Sequence, residues 1–495
     1  MAKKRRRKNR VPGLAITTIL CFLIIEFTGL LAVVNMLPYY LLGVGALVLL
    51  IGLLVIYFFT RNSRKKIFFA FGTIIALLMA VVLVMGNVYI FQTYHTLAQI
   101  SGVNTKTSQI GIYVKKSDSA QTVADAKDYV FGALSNLDKE NTDGAIEQVN
   151  KEMDMEIQVK EVPGVTQLVD SLRDGECDAI ILNHAYIMIL EEMEGYEEIT
   201  SEIREIDMKK VEVVMENQKT DTESDKPQQM TDKNVMQVYI SGIDTRGNEI
   251  INTRSDVNII ATVNIKTRQI LLVSTPRDYY VPLSISGGVP DKLTHAGIYG
   301  TDVSMDTLGM LYDTEIDNYF KVNFAGFVKI IDALGGITIN SDYDFDTGNT
   351  KGYHFNEGSN QVNGQQALAF ARERYAFEEG DRQRGKNQMA VIEGVIHKAL
   401  SPELLRNYTG ILSAVGDCFE TNISYDRIAE LVRDVLQSSK NWNIVSYSVD
   451  GEGAMKKPYS MSASAYVMVP DQETVDQAKE LMQQVIDGEI ISQTK

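Results

Sequence analysis

Basic side chains are concentrated in residues 372–388, which read RERYAFEEGDRQRGKNQ. The stretch holds four arginines and one lysine, with Asp381 among them: Arg372, Arg374, Arg382, Arg384 and Lys386. Arginine carries a planar, permanently charged guanidinium group that binds phosphate oxygens in pairs. Two interpretations follow at this point: a site that holds a pyrophosphate, or a charged segment that is simply solvated.

The charged stretch is predicted to lie at the end of one helix and the start of the next. The first, roughly Gly364–Ala371, delivers Arg372 and Arg374 at its end. The second begins near Asp381, which could cap its start, and continues to about residue 400. Arg384 and Gln388 are four residues apart, so they share one face of the second helix.

Three predicted strands place further polar residues at their ends: MQVYISGID (236–244), VNIIATVN (257–264) and RQILLVSTP (268–276). Asp244 closes the first strand, Asp256 precedes the second and Arg277 follows the third. If the first two strands pair antiparallel, both carboxylates lie at one end of the sheet. Two such oxygen ligands suit Mg²⁺ or Mn²⁺, although aspartate at a strand end is also a common turn former.

Helices are predicted at 301–312 and 323–336. The second is apolar on all sides and stops at Gly335 and Gly336, which is typical of a core helix or of a wall of an apolar cavity. Beyond Ser401 we expect two helices, strands near 442–448 and 465–469, and a terminal helix from Asp471.

Residues 105–216 predict a separate, small α/β domain. Strands are expected at 109–116, 154–162 and 177–183, and helices at 120–137 and 165–174. No catalytic constellation is visible there, so we interpret it as an accessory domain. The polar segment 217–234 is interpreted as a linker, and residues 235–495 as the catalytic domain.

The first 92 residues predict a basic tail and three transmembrane helices. Apolar runs cover 13–34, 39–59 and 67–91, and each has about the 20 residues needed to cross a bilayer. Lysine and arginine cluster at 3–10 and at 61–66. By the positive-inside rule the N-terminus is cytoplasmic, and the accessory and catalytic domains are extracellular.

Charge and cysteine content exclude several classes of protein. Beyond residue 104 the chain holds 37 of the 48 basic and 63 of the 64 acidic residues, a net charge of −26. A region this acidic is unsuited to nucleic-acid binding, which depends on neutralising phosphate charges with basic side chains. Three cysteines argue against a disulfide scaffold, and no Walker loop, GxSxG or HExxH motif is present.

The order GID, RSD, TPRD, RER and GDRQR, over about residues 236–400, resembles the LytR-CpsA-Psr family of cell-envelope proteins. The three spans and the accessory domain are similar to its capsule-associated CpsA (Wzg) branch. The resemblance implies an α/β/α domain whose apolar pocket holds a polyprenyl tail. It also implies a phosphotransferase that moves a glycopolymer from undecaprenyl pyrophosphate to peptidoglycan and releases undecaprenyl phosphate.

The resemblance assigns roles to individual residues. Asp244 and Asp256 match the family's carboxylates for Mg²⁺, with Mn²⁺ as an alternative. The pyrophosphate-contacting positions are Arg277, Arg372, Arg374, Arg384 and Gln388. Asp381 matches the acidic residue beside these arginines, as a base or as an orienter of Arg384. Lys292, in DKLTHA, lies in a segment similar to one near the head-group site.

Two other functions stay open on the sequence. The chain could be a membrane regulator or scaffold of a capsule biosynthesis and export complex, with the accessory domain as its sensor. A narrower enzymatic alternative is a lipid pyrophosphatase, which cleaves the same bond without transferring a glycan.

Overall fold

The computed structural model describes residues 11–61, 66–215, 234–245, 250–401, 418–437 and 441–492. These residues form two compact units. One comprises the N-terminal helices together with a helix at Tyr425–Gln437, and the other comprises the sheets with the remaining helices.

The first unit contains the three predicted spans. They are the helices α1 (Val11–Val34), α2 (Tyr39–Thr60) and α3 (Lys66–Ile100). Each is long and apolar enough to cross a membrane, and Leu20, Ile56 and Ala76 form a small core between them. The three candidate spans that the apolar runs predicted are therefore present as helices. The basic segment 3–10 lies outside the described residues.

The helix Tyr425–Gln437 belongs to the same unit as the spans, although the sequence assigned it to a catalytic domain at 235–495. The Tyr425 hydroxyl donates to the carbonyl oxygen of Val34 at 2.7 Å. Arg433 donates from Nη1 to the carbonyl oxygen of Asn35 at 3.1 Å. The other helix expected after Ser401 falls largely on residues outside the described ranges.

The accessory region forms a five-stranded sheet. Its strands are β1 (Thr105–Lys115), β2 (Val130–Leu134), β3 (Gln158–Val162), β4 (Ala179–Asn183) and β5 (Ile203–Val214), in the order β3-β2-β4-β1-β5. Its helices are α4 (Lys139–Met153), α5 (Val165–Arg173), α6 (Ala185–Leu190) and α7 (Ile199–Glu202). This is the predicted mixed α/β arrangement.

The helix expected at 120–137 is absent from that part of the structure, and the prediction is wrong. Only Val123–Ala126 is helical, as a 3₁₀ turn closed by a capping box between Thr122 and Asp125. Strand β2 follows at once, and Gly132 within it lies against other buried elements. A Cβ atom there would approach Leu168 Cδ1 to 2.8 Å. Burial between neighbouring strands therefore overrides the helical spacing of apolar residues.

The strands beyond residue 234 are β6 (Val235–Ile243), β7 (Ser255–Asn264), β8 (Gln269–Ser274), β9 (Tyr280–Pro282), β10 (Pro290–Lys292), β11 (Asn318–Asn323), β12 (Ile337–Ser341), β13 (Phe345–Asp346), β14 (His354–Phe355), β15 (Gly358–Val362), β16 (Phe419–Thr421), β17 (Asn443–Ser448), β18 (Gly451–Lys456) and β19 (Ala465–Pro470). The helices are α8 (Leu293–Tyr299), α9 (Thr301–Tyr312), α10 (Phe324–Ala333), α11 (Gly364–Arg372), α12 (Asp381–Ala399), α13 (Tyr425–Gln437) and α14 (Gln472–Asp487).

A six-stranded sheet organises this part of the chain, in the order β16-β11-β6-β7-β8-β17. Strands β6, β7 and β8 pair antiparallel in sequence order. Strands β11 and β17 join the two sides parallel to β6 and β8, and β16 pairs antiparallel with β11 at the edge. The remaining strands form two-stranded ribbons. The three strands that carry the predicted site residues are therefore adjacent.

The accessory and catalytic regions share one hydrophobic core. Tyr186 and Leu190 of α6 belong to the same buried cluster as Leu283, Ile298 and Tyr299. The rings of Tyr186 and Tyr299 meet edge to face, with centroids 6.5 Å apart. The predicted linker 217–234 lies outside the described residues except for its last position.

Helix α10 is the predicted apolar helix, and its ends follow from the sequence. The Asn323 side chain accepts a hydrogen bond from the Gly326 amide at 2.7 Å and caps the start. Gly335 and Gly336 adopt φ values of +75° and +85° just beyond the end, which glycine favours. Within the helix only Gly326 and Ile331 are fully buried, so much of its apolar surface is only half covered.

Candidate active site

Asp244 and Asp256 lie at one end of the six-stranded sheet. Ile243 pairs with Ser255 and Gly242 pairs with Val257, so Asp256 is the extra residue of a β-bulge. A bulge twists a strand locally and re-aims the side chain that it carries. The antiparallel pairing that the metal hypothesis required is present.

Arg277 follows β8 and connects to Asp256. Its Nη1 atom donates to Asp256 Oδ1 at 2.9 Å, and its Nε atom lies 3.5 Å from Asp278 Oδ2. Burial alone would lower the pKa of Arg277, but the carboxylates of Asp256 and Asp278 reverse this and raise it. Lys292 Nζ lies 3.7 Å from Asp278 Oδ1, so Lys292 belongs to the same cluster.

Helix α11 ends at Arg372 and places two arginines beside this end of the sheet. Arg372 Nη2 lies 3.6 Å from Asp244 Oδ2, and its guanidinium group stacks over the ring of Phe324, 4.7 Å from the centroid. Arg374 Nη1 lies 3.9 Å from Asp381 Oδ1. Both arginines therefore face carboxylates that come from other elements.

Asp381 is bonded to Arg384, and the prediction that it caps α12 is wrong. Gly380 occupies the cap position with φ +53°, and no side chain accepts a capping hydrogen bond. Asp381 Oδ2 instead accepts from Arg384 Nη2 at 2.7 Å, one turn along the helix. Burial lowers the pKa of Arg384, Asp381 opposes the shift, and the positive charge of Arg277 adds to it.

Gln388 is half-buried on the next turn of α12 beyond Arg384. Gly385 leaves room for the close approach of this helix to the sheet, since a Cβ atom there would lie 3.3 Å from Ser274 Oγ at the end of β8. The other two basic residues of the stretch have partners elsewhere. Arg382 Nε binds Asp450 at 2.7 Å, and Lys386 binds Glu379 at 3.0 Å.

The site gathers five cations and four carboxylates from separate elements. The cations are Arg277, Lys292, Arg372, Arg374 and Arg384, and the carboxylates are Asp244, Asp256, Asp278 and Asp381. Guanidinium groups held in place by carboxylates can exchange those partners for phosphate oxygens without being reoriented. The arrangement can therefore bind a pyrophosphate and offset the charge that develops when its bond breaks.

Glu373, between Arg372 and Arg374, was not singled out from the sequence. It is fully buried. Its carboxylate accepts from five backbone amides, those of Gly348, Asn349, Arg374, Tyr375 and Ala376, at 2.7–3.1 Å. Burial opposes ionisation, but these amides lower the pKa of Glu373 below its ordinary value. Its position between the two arginines of RER was a sequence signal that could have identified it as part of the site.

Three further residues at the site carried little or no signal. Asp278 stands next to Arg277 in TPRD, and Arg254 begins RSD, yet neither was given a role. Glu192 comes from the accessory region and contacts both Arg254 and Lys292. Nothing in its sequence context indicates that contact, because the residues are far apart along the chain.

The two predicted metal ligands supply only part of a coordination shell. In the ranges that the structure describes, no group of three or more His, Cys, Asp and Glu side chains is placed to hold a metal ion. Asp244 and Asp256 offer carboxylate oxygens, which are the donors that Mg²⁺ prefers, and Mg²⁺ commonly completes its shell with water and phosphate. The residues present therefore fit an ion that binds together with a phosphorylated substrate.

Residues 202–484 match the model of the LytR_cpsA_psr family. The chain is 34% identical over 258 residues to the polyisoprenyl-teichoic acid–peptidoglycan teichoic acid transferase TagU of Enterococcus faecalis, covering 52% of this chain and 82% of that protein. It is 33% identical to TagU of Bacillus subtilis, covering 46% and 72%. The crystal structure of B. subtilis TagV is 26% identical with a TM-score of 0.43, covering 52% of this chain and 98% of that one.

Proposed function

The chain belongs to the LytR-CpsA-Psr family, and from that premise we propose that it is a phosphotransferase that moves a glycopolymer from a polyprenyl-pyrophosphate carrier to peptidoglycan. The observation that carries the proposal is the convergence of Arg277, Arg372, Arg374 and Arg384 at one end of the sheet, each facing a carboxylate. The names of the similar TagU proteins describe a transfer of this kind.

The reaction joins an acceptor sugar of peptidoglycan to the glycan phosphate. The acceptor hydroxyl oxygen forms a bond to the phosphorus that carries the glycan. The bond from that phosphorus to the bridging oxygen breaks, and polyprenyl phosphate leaves with the electron pair. The hydroxyl proton passes to a base or to water. The arginines offset the negative charge on the transferring and leaving phosphate oxygens.

We propose that Asp381 orients arginines rather than acting as the base. Its two oxygens already face Arg384 at 2.7 Å and Arg374 at 3.9 Å. Both oxygens of the carboxylate are thus directed at guanidinium groups, a geometry that suits a residue that orients its neighbours. Its role is then to keep both arginines directed at the substrate phosphates.

Asp244 and Asp256 would hold the divalent ion, Mg²⁺ or alternatively Mn²⁺. Bound there together with substrate phosphate, such an ion supplies Lewis-acid polarisation of phosphoryl oxygens. In this structure Arg372 and Arg277 lie against the two carboxylates. They keep both side chains ordered at the bulged end of the sheet.

Helix α10 offers a path for the lipid tail. Phe324, its first residue, lies beneath the guanidinium group of Arg372. Half-buried apolar side chains, including Phe327, Val328 and Ile330, continue from it along the helix. A polyprenyl chain that covered them would remove this apolar surface from water while its pyrophosphate stayed among the arginines.

We further propose that the glycopolymer is capsular polysaccharide and that the site faces the cell exterior. The capsule proposal is supported by the three spans and by residues 105–201, which lie outside the family match. The orientation is supported by the basic residues at 3–10 and 61–66, which favour the cytoplasmic side.

A transfer assay tests the proposal. The purified full-length protein is given a polyprenyl-pyrophosphate-linked glycan, a peptidoglycan fragment and Mg²⁺, and the glycan-linked product is measured. We expect Arg277→Ala and Arg374→Ala each to reduce kcat by about 10²–10³-fold, as removal of one charge-stabilising donor typically does. Chelation of divalent ions should abolish transfer, and added Mg²⁺ should restore it.

Arg382→Ala is the matched control, because that arginine lies on α12 but binds Asp450. It should retain most of the activity. Full transfer by folded Arg277→Ala and Arg374→Ala proteins would rule out the arginine site. Release of polyprenyl phosphate without any glycan transfer would identify a lipid pyrophosphatase instead.

A further inference from the structure

A chain of charged side chains runs from the accessory region into the arginine cluster. Glu192, just after α6, forms an ion pair with Arg254, and its Oε2 atom lies 3.4 Å from Lys292 Nζ. Lys292 Nζ in turn lies 3.7 Å from Asp278, and Asp278 lies 3.5 Å from Arg277 Nε. Three ion pairs thus connect one carboxylate of the accessory region to Arg277 at the arginine-lined end of the sheet.

Glu192 is fixed by a well-packed element. Helix α6 immediately precedes it, and that helix is buried in the core shared with α8. The same segment contacts Arg254 a second time, since Arg254 Nη2 lies 3.8 Å from Met188 Sδ. The carboxylate therefore does not sit on a loose surface loop, and its position relative to Lys292 is set by the packing of both regions.

Lys292 depends on its acidic neighbours. Only 7% of its side chain is exposed, and a buried ammonium group left without any acidic partner would be strongly destabilised. Glu192 is suited to the role: burial opposes its ionisation, but Arg254 and Lys292 lower its pKa and keep it charged. Without Glu192, Asp278 would be the remaining carboxylate paired with Lys292 among the residues that the structure describes, and Asp278 also faces Arg277.

We propose that Glu192, itself held by Arg254, is a positioning residue of the active site that acts through Lys292. It holds Lys292 from the accessory side, so that Lys292 can exchange Asp278 for a phosphate oxygen of the substrate without changing its orientation. The inference rests on the proposed function. Glu192 precedes residues 202–484, the part that matches the family, so the accessory region supplies a feature that the family match does not contain.

A double-mutant cycle tests the positioning role in the full-length protein. The variants are Glu192→Gln, Lys292→Gln and the double variant, with Glu194→Gln as the matched control on the same exposed segment. Transfer kinetics, the melting temperature and binding of geranylgeranyl pyrophosphate are measured for each. We expect Glu192→Gln to reduce kcat/KM about tenfold, mainly by raising KM, with an unchanged melting temperature.

Coupling is the decisive outcome. In the Lys292→Gln background, Glu192→Gln should change kcat/KM by less than about twofold, because the group that it positions is already gone. Glu192→Asp should restore part of the loss, and Glu194→Gln should behave as the wild type. Equal tenfold losses in both backgrounds, or a wild-type KM for Glu192→Gln, would overturn the inference.

The binding measurement separates the inference from the function on which it rests. A wild-type protein that binds geranylgeranyl pyrophosphate but transfers nothing refutes the proposed transferase. The positioning role is then judged from the dissociation constants for geranylgeranyl pyrophosphate. Glu192→Gln should weaken binding in the wild-type background and should have little effect in the Lys292→Gln background. A wild-type protein that neither binds nor transfers refutes both.

Discussion

At the scale of single residues, Glu373 fixes the backbone from which Arg372 and Arg374 project. One buried carboxylate accepts hydrogen bonds from amides of two separate segments, residues 348–349 and 374–376. Hydrogen bonds to a charged group contribute roughly 1.5–3 kcal/mol each when isolated. The glutamate of RER is therefore structural, although it stands between two residues of the proposed site.

Glu373→Gln should destabilise the protein by about 2–3 kcal/mol at pH 7, because the amide group places a donor where only acceptors fit. The native pKa of Glu373 is lowered. Its contribution is therefore fully present above the unfolded pKa of about 4.3 and is lost as pH falls through the lower native value. Denaturant unfolding at a series of pH values should show the difference from wild type shrinking on acidification.

Glu378→Gln is the control for this measurement, since Glu378 is exposed on the same loop. It should change the free energy of unfolding by no more than about 0.5 kcal/mol. The difference in the free energy of unfolding between Glu373→Gln and wild type could also stay unchanged below the native pKa of Glu373. That result would show that the carboxylate charge is not what stabilises the loop.

At the scale of elements, the proposed orientation of the active site depends on the three spans. If helices α1 to α3, which follow one another through short connections, each cross the membrane, the residues before α1 and after α3 are on opposite sides. Position 61, between α2 and α3, would then share the side of the residues before α1, and position 119, in the accessory region, would be on the other side.

Cysteine labelling tests this orientation in intact cells. A membrane-impermeant maleimide should label Ser119→Cys, whose position is exposed in the accessory region, and should not label Arg61→Cys. The native cysteines give little background, because Cys177 and Cys418 are buried and Cys21 lies within α1. Permeabilised cells provide the control, in which both variants should react. Labelling of Arg61→Cys alone in intact cells would reverse the proposed orientation.

At the scale of the whole molecule, the accessory and catalytic regions pack against each other within one compact unit. They share a hydrophobic core to which Tyr186, Tyr299 and Met461 all contribute. Ion pairs cross the same boundary, including Lys106 with Asp302 at 3.1 Å. Removing the accessory region would therefore expose apolar surface and leave charges of the catalytic region without partners.

Tyr186→Ala should destabilise both regions together. Truncating a fully buried aromatic side chain costs about 3–5 kcal/mol, and Tyr186 is 0% exposed. The only tryptophan, Trp442, lies in the catalytic region and reports its unfolding by fluorescence. We expect its transition to shift by the same amount as the circular-dichroism transition of the whole protein.

Val159→Ala provides the comparison, because Val159 is exposed on the edge strand β3 and should shift neither transition appreciably. If Tyr186→Ala moved the circular-dichroism transition and left the tryptophan transition in place, the two regions would unfold independently. The shared core would then not be cooperative.

The sequence by itself determined the local and compositional features. Apolar length predicted the three spans, strand patterning located β6, β7 and β8, and apolar patterning with the Gly335–Gly336 stop placed α10, because these depend on residues close together in the chain. It also named Arg277, Arg372, Arg374 and Arg384, whose charge and motif context identify them. Only the tertiary structure decided which carboxylate each arginine faces.

The two wrong predictions, the helix at 120–137 and the Asp381 cap, have a common cause: both depended on contacts that the local sequence pattern does not specify. Whether 120–137 is a helix depends on the strands that bury β2, and whether Asp381 caps α12 depends on the competing bond to Arg384. The contact from Glu192 to Lys292 spans a hundred residues and arises from packing between two regions, which no local pattern encodes. Long-range packing thus decided how the accessory region meets the active site, whereas the arginines of the proposed site could be named from the sequence.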